Sequence, residues 1–112
     1  MTNNGATSWP PPPDLSSLEE LVATADIEGF LAEGGPADEY EIEAEHLHEQ
    51  IKSWPTADLT TERLLPVLEA IWAQAFALDD RGLDDRGTKL RELAGQIERF
   101  FGPEARPQVR GV

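Results

Sequence analysis

Apolar residues recur along most of this chain at the three-and-four spacing of helices, and nowhere at the alternating spacing of strands. Leu18, Leu21 and Val22 follow Ser16-Ser17-Leu18-Glu19, a capping box that predicts a short first helix. Residues 26–31 then read as a short helical turn or loop, ended by the break Gly34-Gly35-Pro36. Tyr40, Ala44, Leu47, Ile51 and Trp54 make one apolar stripe, which predicts a helix over 37–53 stopped by Pro55. A wider apolar face from Leu64 to Leu78 predicts the most buried helix over 61–78, capped by Asp58 or Thr60. Pro66 conflicts with that helix, so it is expected to start late or to bend there. Leu90, Leu93, Ala94, Ile97, Phe100 and Phe101 predict a last helix over 85–101, closed by Gly102-Pro103. Between the last two helices, residues 79–87 repeat Asp-Asp-Arg-Gly and read as a loop. The pattern predicts an all-α fold: a small antiparallel bundle of three main helices plus a short N-terminal helix.

A chain of 112 residues is the size of one domain. Residues 15–102 are expected to form the helical domain. Trp9 and the four prolines after it make 1–14 a disordered proline-rich leader, and 103–112 reads as a flexible tail. There is no cysteine, which excludes disulfides, thiolate metal sites and cysteine nucleophiles. The start of the chain lacks the basic and apolar runs of a signal peptide, and no stretch has the length of a membrane span, so the expected location is the cytoplasm.

Charge changes the picture more than composition does. The formal net charge is -13, and residues 1–51 hold 12 of the 22 acids and none of the nine Lys and Arg. Such a front half repels nucleic acid and anionic lipid and attracts basic surfaces. Glu19, Glu20, Asp38 and Glu39 fall at helix starts, where the macrodipole favours anions. Glu41, Glu43, Glu45 and Glu49 surround Ile42 on the side of the second helix away from its stripe. Ile42 is either a lone exposed apolar residue or one that packs beneath the N-terminal segment or a partner.

Catalytic chemistry finds little support. Glu45 and His48 have the Glu-x-x-His spacing of di-iron bundles, but a chain with two histidines, both in one helix, cannot supply a second such element. Glu41, Glu45, His48 and Lys52 read instead as a solvated, mutually paired flank. His46 and His48 point to different sides of the helix, and no nucleophile adjoins either. Gly34-Gly35 lacks a phosphate-loop pattern, the Asp79 repeat lacks the closing carboxylate of a calcium loop, and the bases form no cluster. No cofactor, metal, nucleic acid or membrane is expected.

Gly35-Pro36-Ala37-Asp38-Glu39-Tyr40, followed by Glu43 and a helix, resembles the start of a small all-helical bacterial family known only as a domain of unknown function. In that family an aspartate-rich lead-in precedes a Pro-x-Asp-Glu-Tyr helix start, an aromatic-rich helix end and a final helix. Residues 26–31, 36–40, 71–76 and 90–101 are similar to those parts, though 26–28 lacks the proline of the lead-in. The resemblance implies a compact helical fold and transfers no activity or catalytic residue.

The function expected from these features is a non-enzymatic protein-binding or accessory module for a basic protein. Its candidate surface is Asp38, Glu39, Glu41, Ile42, Glu43, Glu45 and Glu49. An immunity-type inhibitor of a basic toxin is the alternative, and a metal-dependent enzyme the least supported class.

Overall fold

The computed structural model describes residues 10–105. Its helices are α1 (Leu15–Ala25), α2 (Glu41–Ile51), α3 (Thr61–Phe76), α4 (Asp80–Asp85) and α5 (Gly87–Phe101), with a 3-10 turn at Thr56–Asp58. The readings of residues 1–9, including Trp9, and of 106–112 lie outside the described residues.

The fold is all-α, but with five helices among the described residues rather than three main helices and a short N-terminal one. The extra helix comes from the Asp-Asp-Arg-Gly repeat. Asp79 caps it by accepting the Gly82 N–H at 2.8 Å, so the first copy of the repeat starts a helix rather than a loop. The second copy supplies the joint. Arg86, at φ -102 and ψ 1, closes α4 and opens α5, which therefore begins at Gly87 rather than Asp85.

Other boundaries move for equally local reasons. Asp14, not Ser16, caps α1, accepting the Ser17 N–H at 2.9 Å. Pro13 is buried ahead of it, so the end of the proline run belongs to the body. The stretch before α2 closes in tight turns, with Glu39 N–H bonded to Pro36 and Glu41 N–H to Asp38. Regular helix accordingly starts at Glu41 rather than Ala37. α3 does not start late: it runs from Thr61 through Pro66. The proline withholds one donor, from the Glu62 carbonyl, and both residues face solvent, where water can replace that bond.

Four helices enclose the core. α1 packs on α2 and α5, and α3 packs on α2 and α5. Leu18 and Val22 of α1, Ala44, Leu47 and Ile51 of α2, Leu64, Leu68 and Trp72 of α3, and Leu90, Leu93, Ala94 and Ile97 of α5 are all buried. Each inward stripe matches the apolar periodicity of its helix. Glu98 near the end of α5 accepts the Thr61 N–H at 2.8 Å and its hydroxyl at 2.6 Å. These bonds hold the Glu98 carboxyl below its usual range, and they fasten the start of α3 to the end of α5. Gly102 follows in a close approach: a Cβ there would lie 2.5 Å from the Leu59 carbonyl oxygen and 2.7 Å from that of Glu98.

α3 ends on Ala77 in the left-handed region at φ 53, an exposed position where glycine has no steric cost. Ala77→Gly is expected to raise stability by about 0.5–1 kcal/mol in urea unfolding. An unchanged or lower midpoint would show that Ala77 carries no backbone strain.

Candidate functional site

The outer face of α2 is positioned by a polar network inside the bundle. Asp26 ends α1 in the left-handed region at φ 45. Its carboxylate accepts the N–H groups of Leu31 at 3.0 Å and Ala32 at 2.9 Å. The Tyr40 hydroxyl donates to Asp26 Oδ1 at 2.7 Å and accepts the Glu28 N–H at 3.0 Å. Glu28, two residues on, reaches across the core. Its Oε2 accepts from Trp72 Nε1 at 3.0 Å and Arg86 Nε at 2.6 Å, and its Oε1 from Arg86 Nη2 at 2.8 Å. Arg86 Nη1 donates to the Gly82 carbonyl at 2.9 Å. This is a bidentate, charge-assisted pair with every part of the guanidinium engaged.

The rings stack around it. Tyr40 lies 5.8 Å from Phe30 and 6.3 Å from Trp72, and Phe76 closes on Phe30 and Trp72 at 6.0 and 5.8 Å. The turn after α1, the start of α2, the second half of α3 and the α4–α5 joint therefore meet at one place. The titration of the groups follows. The Tyr40 hydroxyl holds the Asp26 carboxyl below its usual value, and the Arg86 guanidinium does the same for Glu28. Burial, then the bond to Asp26, pushes Tyr40 up to about 12.

Tyr40 turned inward fixes what α2 shows outward. Glu41, Ile42, Glu45 and Glu49 are exposed on α2, and Asp38 and Glu39 are exposed in the turn before it. Ile42 is 61 % exposed, the large apolar side chain that stands out among the described residues. Glu43 departs from its expected outward place. It is 9 % exposed, and its Oε1 has no donor among the described residues. Helical geometry explains this: Glu43 lies one turn from Tyr40 and Leu47, on the edge of the buried stripe.

The structure adds a residue to the face. Glu19 of α1 joins Glu41 and Glu45, with carboxylate oxygens within 4.8 Å of one another. Sequence places Glu19 only as a first-turn residue; the packing of α1 on α2 turns it into a neighbour of Glu41. Glu45 thus converges with carboxylates and not with His48. Three like charges at this range draw a cationic group of any kind. Among the described residues, Glu49 pairs with Lys52 at 3.1 Å, while Glu19, Glu41 and Glu45 have no base at ion-pair distance. A cleft of about 190 Å³ adjoins Glu19 and Glu41, bordered by Ala23, Ala37, Asp38 and Tyr40.

Among the described residues no helix is long and apolar enough to cross a membrane. Compared with family models, with curated proteins and with solved structures, the chain finds no match.

Arg86→Ala would leave Glu28, whose side chain is 9 % exposed, without its counter-charge. The expected loss is about 2–3 kcal/mol in urea unfolding, toward the lower end for a buried pair because Arg86 itself is partly exposed. A loss under about 0.5 kcal/mol, the scale of a surface pair, would contradict the buried role. Acid should act through the same groups. Asp26 and Glu28 bind protons more weakly folded than unfolded, so their contribution is complete above the ordinary values of 3.8 and 4.5. It is lost as pH falls through the lower folded values. A urea midpoint that falls across that acid range in the wild type, and falls less in Glu28→Gln, is the expected result.

Proposed function

We propose that this protein is a non-enzymatic binding module that docks a basic protein partner on the outer face of α2. The observation that carries this reading is Ile42, exposed on α2 one turn before Glu45 and two before Glu49, with Glu41 and Glu19 on the adjoining flank. One exposed isoleucine is ordinary on any surface. An exposed isoleucine bordered along one flank by largely uncompensated carboxylates is the arrangement of an apolar anchor with a charged rim. The rim would steer a basic partner and select it, and the anchor would supply the desolvated contact. The rigid placement of α2 by Tyr40 supports the reading, because a preorganised face loses little freedom on binding.

The cysteine-free composition suits the reducing cytoplasm, which is where we place the protein. The likeness to the small bacterial helical family is part of the same proposal. Three segments that carry it, 26–31, 36–40 and 71–76, meet in the network around Tyr40.

The test is a pull-down from native cells with the wild type, with Ile42→Ser, and with Glu41, Glu45 and Glu49 all changed to Lys. The wild type should recover a basic protein in a salt-sensitive complex. Both variants should keep the helical circular-dichroism spectrum and lose that protein, the triple variant entirely and Ile42→Ser by at least about tenfold, the effect of an interface anchor. Equal recovery by all three would make the face merely solubilising. A recovered partner whose own activity is silenced in the complex would make the module an inhibitor.

A further inference from the structure

A groove of about 550 Å³ runs between α2 and α3. His46 and Gln50 line it from α2, and Val67, Ala70, Ile71 and Gln74 from α3. Among the described residues, no acid, lysine or arginine lines it, although 28 % of the chain is charged. Ile71 is buried at its floor, Val67 is half-buried and Ala70 is exposed. Ile42 stands one turn before His46 on the same side of α2, so the exposed isoleucine borders the groove as well as the carboxylates. The uncharged strip therefore continues from the floor of the groove out to Ile42.

Shape and charge decide what fits there. The α3 wall runs from Pro66 to Gln74, about 12 Å of helix. Two turns of a docked helix, with apolar residues at i, i+4 and i+7, cover about the same length. An extended segment fits poorly, because its backbone N–H and C=O groups would lie on an apolar floor and neither helix has an edge to pair them. A helix satisfies its own backbone. The charges on the two sides of the strip differ. Beyond Ile42, Glu45 has no base at ion-pair distance among the described residues, whereas Arg63, one turn before Val67 on α3, faces Asp58 at 3.9 Å. Complementary bases therefore belong on the flank over α2. A second copy of this chain, at a net charge of -13, would bring acids to that flank instead.

Resting on the docking reading above, we infer that the basic partner docks through an amphipathic helix laid in the α2–α3 groove. Its apolar ridge lies on Val67, Ala70 and Ile71, one flank covers Ile42, and the Lys and Arg residues of that flank meet Glu45 and Glu49. The partner is thereby a helix with an apolar stripe and one basic side. Ile42 is then the rim of a groove rather than an isolated anchor, and the carboxylates beside it set which way round the helix lies.

The probe is a lysine, alanine and leucine peptide cross-linked into a helix of about four turns, with its leucines on one stripe. One control has the same composition with the leucines spread around the helix, and the other has the stripe but glutamate in place of lysine. Each is titrated into the full isotope-labelled chain and followed by NMR amide shifts. The stripe peptide is expected to give saturable shifts at His46, Gln50, Val67 and Gln74, and to bind at least about tenfold more tightly than either control. Ala70→Gln puts bulk but no charge on an exposed site of the wall. It should weaken the stripe peptide at least about fivefold, leave the spread-leucine control unchanged and keep the helical circular-dichroism spectrum. Equal binding of the stripe peptide and either control, shifts confined to α1 and the Glu41 flank, or an undiminished response in Ala70→Gln would each overturn the inference. Groove amides that shift when the free chain is diluted would overturn it too, giving the groove to a second copy. In the pull-down, loss of the basic protein by the lysine triple variant but not by Ala70→Gln ends this inference alone. Retention by the triple variant, with the stripe peptide still bound in the wild-type groove, ends the docking reading alone.

Discussion

The bidentate pair of Glu28 and Arg86 is the contact on which the rest of the arrangement depends. Glu28 lies on the turn after α1, and its carboxylate is inside the protein, where it must be paired. Arg86 provides the charge and Trp72 a further donor. Because Arg86 is also the joint between α4 and α5, and Trp72 belongs to α3, one carboxylate ties three distant parts of the chain to that turn. Asp26 completes the fastening from the same turn, through Tyr40, to the start of α2.

That fastening decides which way α2 faces. With Tyr40 directed inward between Phe30 and Trp72, the helix can present only one arc to solvent. Ala44, Leu47 and Ile51 follow Tyr40 into the core, Ile42, Glu45 and Glu49 go outward, and Glu43 is carried to the buried edge. The acidic face and the orphaned carboxylate are thus two consequences of one rotational setting.

Much of the fold was legible in the pattern of residues. The inward stripes of α1, α2, α3 and α5 follow their apolar spacing because burial of a helical face is a local property of sequence. The short helix α4 was not legible, because two aspartates before Arg-Gly suit a loop and an N-cap equally well and only the packed Arg86 side chain settles the outcome. Pro66 looked more disruptive than it is, since an exposed carbonyl can turn to water. For the candidate site, the spacing places Glu41, Ile42, Glu45 and Glu49 on the outward side of one helix, and all four are exposed there. It missed Glu19, which reaches the face only through the packing of α1 on α2, and it misplaced Glu43 by a fraction of a turn. The pairing of Glu28 with Arg86 spans 58 positions and has no local signature.

Carboxylates lock the turn after α1 and so fix α2. Native-state hydrogen exchange on the Glu28, Leu31 and Ala32 amides tests it most directly, because each donates to Tyr40 or Asp26 and none belongs to a helix. Protection at these three amides close to that of Leu47 in the middle of α2 is the expected result. Exchange as fast as in an open surface loop would contradict it, since the turn would then be opening independently of the helices it is held to fasten.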